Sequence, residues 1–205
     1  MASGSALIEP SQITAVVLAG GLGRRMSPDG RGTNKALIPF RGKPLLSHVL
    51  ERVAPQVSSL VINADPVDPQ WRAFGLPVIA DRIADRPGPL AGIHAAMVAA
   101  GTPWVLSVPC DTPLLPADLV QRLTETQAAH HADRVSARCG DQAHPVIMLL
   151  HRSLAEDLER YLTQGGRRIE TWLAQGAWAQ ASFEDERAFV NLNTADELRQ
   201  LEPAQ

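Results

Sequence analysis

Thr14-Ala15-Val16-Val17-Leu18-Ala19-Gly20-Gly21-Leu22-Gly23-Arg24-Arg25-Met26 is the stretch from which the rest of the chain is read. It opens as a short apolar run rich in β-branched residues, the pattern of a strand buried on both faces. Three glycines within four positions then remove the side chains, and two arginines follow. A buried strand that ends in a bare turn exposes several backbone N–H groups. Phosphate oxygens can approach such groups closely, and neighbouring guanidinium groups add positive charge. The stretch therefore reads as a place where a phosphorylated nucleotide is held. Taken alone, it reads equally well as a tight β–α turn with surface arginines.

Two commoner phosphate motifs do not fit. The Walker pattern Gly-x-x-x-x-Gly-Lys-Ser/Thr is absent, and the dinucleotide pattern Gly-x-Gly-x-x-Gly matches Gly21 and Gly23 but fails at Met26. The charge around the motif is informative. Arg24, Arg25, Arg31, Lys35, Arg41 and Lys43 fall within twenty residues, opposed only by Asp29. The whole chain, by contrast, carries 22 acidic against 19 basic residues, a net charge of −3. A local basic excess without a global one suits a small polyanion and disfavours nucleic acid. Arg31 and Arg41 also read as ordinary solvated loop residues.

With 205 residues and 45% hydrophobic content the chain has the size of one domain with an ample core. We read residues 1–12 as a flexible N-terminal tail and residues 13–201 as a single domain. Met1–Pro10 lacks the basic start and long apolar centre of a secretory signal. No apolar run approaches the ~20 residues of a membrane span. The two cysteines, Cys110 and Cys139, have no partner at metal-ligand spacing and read as small buried hydrophobes in a cytoplasmic protein.

Strand and helix signals alternate along the chain, which predicts a mostly parallel sheet covered by helices. Pro44–Val57 has helical spacing at Leu45, Leu46, Val49, Leu50 and Val53; Ser59–Asn63 and Pro77–Ala80 read as strands, with a short helix over Gln70–Phe74. Ala91–Ala100 reads as a helix, Trp104–Val108 as a strand, and Pro116 as the start of a helix to about His130. Arg134–Cys139 and Ala143–Leu150 read as two strands, antiparallel around Gly140-Asp141. Ser153 is expected to cap a helix to Leu162 with Glu156 as its partner, Gly165-Gly166 to end it, and Thr194 to cap a last helix with Glu197. Arg168–Gln175 reads as a short helix and Gln180–Phe183 as an edge strand. The fold class is thus α/β: a Rossmann-like three-layer sandwich with a mostly parallel central sheet and a small antiparallel addition.

The predicted parallel strands end in small or polar residues: Gly20 and Gly21, Asn63, Asp81 and Asp111. Open α/β sheets bind ligands beyond the carboxyl ends of their strands, so these residues are candidates for one shared site. Each alone also reads as a turn residue or a helix cap. Asp111, held between Pro109 and Pro113, is a carboxylate suited to a hard cation such as Mg²⁺, which favours one or two carboxylates plus substrate phosphates. Its competing role is to cap the next helix, which Thr112 could do instead. Lys35, ahead of the apolar stretch Ala36–Phe40, can meet phosphate as a point charge or stay solvated.

Leu18-Ala19-Gly20-Gly21-x-x-x-Arg25-Met26, Lys35, Gly42-Lys43-Pro44-Leu45 and Pro109-x-Asp111-x-Pro113 together resemble nucleotidyltransferases with a Rossmann-like sheet, and more narrowly the molybdenum cofactor guanylyltransferases. Asn63-Ala64, Asp81, Pro87-Gly88-Pro89-Leu90-Ala91-Gly92, His144-Pro145 and Phe189-Val190-Asn191-x-Asn193-Thr194 agree with that family, so the resemblance runs from about Ile13 to Leu198. Ser27–Asn34 is longer than the family's usual spacing, and Asn34 stands where an acidic residue is common. The Gly20-Gly21 pair is similar to the guanylyl branch rather than the cytidylyl branch, which tends to carry Ala-Gly.

The resemblance implies that Leu18, Ala19, Gly20 and Gly21 contact guanosine and phosphate, Lys35 the triphosphate, Asn63 and Asp81 the nucleotide, and Asp111 both GTP and Mg²⁺. Asn191 and Asn193 would lie near the pterin. Arg25, or equally Arg24, would add charge at the triphosphate. The implied reaction is transfer of GMP from GTP to molybdenum-bearing molybdopterin, giving the guanine dinucleotide and pyrophosphate. Transient contacts with cofactor-assembly proteins and molybdoenzymes, a monomeric state and a cytoplasmic location go with it. Two other readings use the same residues: transfer of CMP or a sugar-phosphate nucleotidyl reaction on the same fold, and a non-catalytic nucleotide-binding module. Keeping both Lys35 and Asp111 argues against the last.

Overall fold

A computed structural model describes residues 7–20, 34–83 and 88–192. The strands are β1 (Ile13–Leu18), β2 (Pro39–Phe40), β3 (Lys43–Pro44), β4 (Ser59–Asn63), β5 (Val78–Ile79), β6 (Trp104–Pro109), β7 (Arg134–Cys139), β8 (Gln142–His151) and β9 (Trp178–Phe183). The helices are α1 (Leu45–Val53), α2 (Pro89–Ala99), α3 (Leu119–His130), α4 (Ala155–Thr163) and α5 (Ile169–Leu173). Among the described residues seven strands form one sheet in the order β5-β4-β1-β6-β8-β7-β9. Only β8 runs against the others, pairing antiparallel with both β6 and β7. β2 and β3 form a separate antiparallel pair. The chain is therefore the expected α/β sandwich with a mostly parallel central sheet.

β1 sits between β4 and β6. Its alternate residues enter opposite faces of the sheet, which is why the apolar run is unbroken. Ile13, Ala15 and Val17 join Leu46, Val49 and Val53 of α1 and Leu119 and Leu123 of α3. Val16 joins Leu90, Ile93 and Met97 of α2, Leu158 and Leu162 of α4, and Trp172 of α5. These two clusters are the outer interfaces of the three layers. α2 is buried over nearly its whole length; Gly88 (φ +81°) and Pro89 set its first turn.

Several boundaries differ from the sequence expectation, each for a local reason. α1 gives way at Ala54 to a 3₁₀ turn, since Pro55 has no N–H to continue the helix. α3 starts at Leu119, not Pro116, after the proline-held stretch 113–116, and neither Asp111 nor Thr112 caps it. Ser153 does not cap α4: it lies inside a 3₁₀ turn, Arg152–Leu154, with its hydroxyl 2.7 Å from His151 Nδ1. The Gly165-Gly166 stop forms as expected. Gly165 takes φ +90°, and the two N–H groups bond Leu162 and Tyr161 carbonyls at 3.0 and 2.9 Å, a Schellman arrangement. Of the tail expected over residues 1–12, residues 1–6 lie outside the described residues, whereas Ile8 is buried and Pro10–Gln12 form a 3₁₀ turn. Thr194 also lies outside them. Both cysteines are free and buried. No helix among the described residues is long and apolar enough to cross a membrane.

Candidate active site at the strand tips

The register of the sheet brings the tips of the parallel strands to one edge. Leu18 at the end of β1 is level with Asn63 on one side and Pro109 on the other. The ladder continues past the strands: Ala19 N donates to Asn63 O at 2.9 Å, and Cys110 N to Leu18 O at 3.2 Å. Gly20 and Asp111 are thus each two residues beyond a matched pair on neighbouring strands, which lie ~5 Å apart.

Lys35 reaches this edge through a built turn. Asn34 caps the 3₁₀ turn Lys35–Leu37 by accepting from Ala36 N at 3.0 Å, while its Nδ2 donates to Ala19 O at 3.1 Å. Buried Ala36 anchors the same turn to the core. Lys35 Nζ then lies 3.4 Å from Asp111 Oδ2, with both side chains only partly exposed. A lysine ammonium and a carboxylate thus share one spot at the end of β1 and β6.

On the other flank, Asn63 Nδ2 donates to Asp81 Oδ1 at 2.9 Å and to Ile79 O at 3.2 Å. The amide is held by its donors, so its oxygen is an acceptor of fixed direction. Gly92, in the first turns of α2, makes room for it. A Cβ at that position would sit 2.1 Å from Asn63 Oδ1 and 2.8 Å from Leu18 Cδ2. Gly92→Ala gains about 1 kcal/mol of helix propensity but forces a clash that typically costs about 1–3 kcal/mol. We expect a net loss of stability in chemical denaturation, together with weakened nucleotide binding. A variant as stable as the parent would mean that Asn63 does not pack there.

The third flank is the segment after the 3₁₀ turn Glu186–Phe189. Asn191 Oδ1 accepts from Thr112 Oγ1 at 2.7 Å, and Leu192 N donates to Asp111 O at 2.9 Å. Leu18, Ala19, Gly20, Lys35, Asn63, Asp81, Asp111 and Asn191 therefore lie along one edge of the sheet. Gly21, Arg24, Arg25 and Asn193 lie outside the described residues. Of the remaining basic cluster, Arg41 stacks over Phe40 and Lys43 pairs with Glu51 at 2.6 Å.

The chemistry of the site is electrostatic. Burial, and then the neighbouring Asp111 charge, push the Cys110 thiol up to about 12 against the pull of Lys35. It stays protonated at neutral pH and offers no thiolate nucleophile. His48 bonds the Phe40 carbonyl, His144 stacks on Phe189 and His151 bonds Ser153. Among the described residues no group of three His, Cys, Asp or Glu could hold a metal ion. A lone carboxylate suits a hard cation that arrives with phosphate oxygens, not a resident cage. A separate surface cleft of about 410 Å³ lies at the start of α3 and the end of β9. Its carboxylates Asp118, Glu184 and Asp185 outnumber Arg52 and Arg122, which disfavours a polyphosphate.

Asn34, Gly92 and Thr112 shape the crevice but were not assigned a role in it from the sequence. Asn34 had a readable signal, an Asn one residue before a short turn. The other two act across the fold.

Residues 15–180 match the family described as MobA-like NTP transferase domain. The chain is 42% identical over 198 residues to a molybdenum cofactor guanylyltransferase of Cupriavidus necator, covering 94% of this chain and 98% of that one. It is 43% identical over 204 residues to the enzyme of the same name from Methylibium petroleiphilum, covering 96% and 98%. Among solved structures it is similar to molybdopterin-guanine dinucleotide biosynthesis protein A of Archaeoglobus fulgidus, with TM-score 0.71, 26% identity and coverage of 91% and 95%. A CMP:2-keto-3-deoxy-manno-octonic acid synthetase complexed with CTP shares the fold at TM-score 0.70 and 15% identity, covering 94% of this chain and 97% of that one.

Proposed function

The chain belongs to the molybdenum cofactor guanylyltransferases, within the MobA-like NTP transferase family, and on that premise we propose that it transfers GMP from GTP to molybdenum-bearing molybdopterin. The reading rests on one observation: Lys35 and Asp111 meet 3.4 Å apart where β1 and β6 end.

The acceptor is the terminal phosphate of the pterin, already an anion, so no general base is required. One of its oxygens forms a bond to the α-phosphorus of GTP. The bond from that phosphorus to the bridging oxygen breaks, and pyrophosphate leaves. Such transfers depend on in-line positioning and on neutralising charge on the phosphate oxygens. Lys35 supplies a cation at the triphosphate, with Arg25 or Arg24 as a second. The amide at Gly20 supplies a donor, while that of Ala19 is held by the Asn63 carbonyl. Asn63 and Asp81 supply acceptors of fixed direction, which suit the N–H donors on the edge of guanine. Asp111 would hold Mg²⁺, which supplies charge neutralisation across the phosphates. Asn191, beside Asp111, and Asn193 would face the pterin. In the same reading the protein works as a cytoplasmic monomer and passes its product to molybdoenzymes through transient contacts.

Nucleotide choice tests this reading, because the fold alone is shared with a CTP-bound synthetase. In a thermal-shift series, GTP with Mg²⁺ at about 100 times its Kd should raise Tm by roughly 5–10 °C. CTP with Mg²⁺ should move it far less. A larger shift with CTP would replace the guanylyl reading by the cytidylyl one, and no shift with any nucleoside triphosphate would contradict both.

A further inference from the structure

The metal-binding side and the acceptor side of the crevice come from distant parts of the chain, yet they are joined by a pair of hydrogen bonds. Thr112 is fully buried, an unusual place for a hydroxyl unless it has a partner. Its partner is not the start of α3, the cap role its position suggested, but Asn191 Oδ1 at 2.7 Å, 79 residues away. One residue along, Leu192 N donates to the Asp111 carbonyl at 2.9 Å. Leu192 is itself fully buried, packed with Phe40 and Leu45 just beyond the Lys35 turn. The segment Val190–Leu192 is thus fastened to the Asp111 loop by two hydrogen bonds and to the Lys35 arm by apolar packing.

We propose that Thr112 is a positioning residue that sets the acceptor-side Asn191 in register with Asp111. The proposal rests on the transfer reaction above. The donor from Thr112 occupies the amide oxygen of Asn191, which turns the Nδ2 end of that side chain away from Thr112. The side-chain bond and the neighbouring backbone bond fix both the distance and the orientation between the carboxylate that meets GTP and the amide that meets the acceptor. In-line transfer is sensitive to such register: a misplacement of ~1 Å costs on the order of 10²-fold in rate.

The test is a double-mutant cycle on Thr112→Val and Asn191→Ala, with Thr112→Ser as the conservative control. Valine keeps the shape and removes the hydroxyl. In Thr112→Val, kcat for dinucleotide formation should fall by about 10–100-fold, the scale seen when a group that orients a ligand is lost. KM for the acceptor should rise, while the GTP–Mg²⁺ thermal shift should stay near that of the parent. Thr112→Ser should recover most of kcat. The double variant should be no worse than Asn191→Ala, because Thr112 acts through Asn191. Additive losses, an unchanged Thr112→Val, or a serine variant as poor as valine would overturn the proposal.

A second readout does not depend on turnover. Hydrogen exchange at the Leu192 amide should quicken by about tenfold or more in Thr112→Val as the joint loosens, and unchanged exchange would also overturn it. A parent protein that makes no dinucleotide, combined with faster Leu192 exchange in the variant, would instead refute the transfer reaction and leave the joint standing.

Discussion

Asp111→Ala is expected to reduce GMP transfer by at least about 10³-fold, the upper end of what one charge-stabilising group supplies, while the protein stays folded. The two halves of this expectation follow from different atoms of the residue. The main-chain oxygen of Asp111 accepts from Leu192 N, and alanine keeps it. The carboxylate is partly exposed and pairs with Lys35 at 3.4 Å. An ion pair of that kind contributes about 0–1 kcal/mol, and a domain of this size loses roughly 2–4 °C of Tm per kcal/mol. Tm should therefore fall by no more than about 4 °C. Asp111→Asn, which keeps shape and removes charge, should be nearly as inactive. Turnover by Asp111→Ala within about tenfold of the parent would remove this carboxylate from the mechanism.

Lys35→Ala should lower kcat/KM for GTP by about 10–1000-fold, that is about 1.4–4 kcal/mol of transition-state stabilisation. The residue's own turn should survive, since Asn34 and buried Ala36 hold it without the lysine side chain. The loss should be mainly in use of the triphosphate, with KM for the acceptor little changed. Lys35→Arg should recover only part of it, because a planar fork does not replace a compact ammonium at a bidentate-free point contact. Activity retained in Lys35→Ala would transfer the role to Arg24, Arg25 or Arg31.

The strand tips were legible in the sequence because β1 is buried on both faces, so its apolar run is continuous and its end is abrupt at Gly20. Ser59–Asn63 matches β4 as observed, and the turn Gly140-Asp141 separates β7 from β8 as expected. Less legible were the ends of α1 and α3, where prolines shift the boundary by several residues. The cap at Ser153 was misread because His151, two residues earlier, competes for its hydroxyl. The individual site residues were readable as a set of strand ends, but their mutual contacts were not. The Asn63–Asp81 bond, the space at Gly92 and the Thr112–Asn191 bond each join segments that are remote in sequence. No periodicity or local spacing encodes such a pairing; it appears only once the sheet order is fixed.

Guanylyl transfer at this edge of the sheet is open to direct assay. Its most direct measurement is the product formed when the protein is incubated with molybdopterin, Mg²⁺ and either GTP or CTP. Guanine dinucleotide and pyrophosphate are expected in equal amounts from GTP, none when Mg²⁺ is chelated, and little product from CTP. Dinucleotide formed from CTP in preference to GTP, or GTP bound with no pyrophosphate released, would contradict guanylyl transfer.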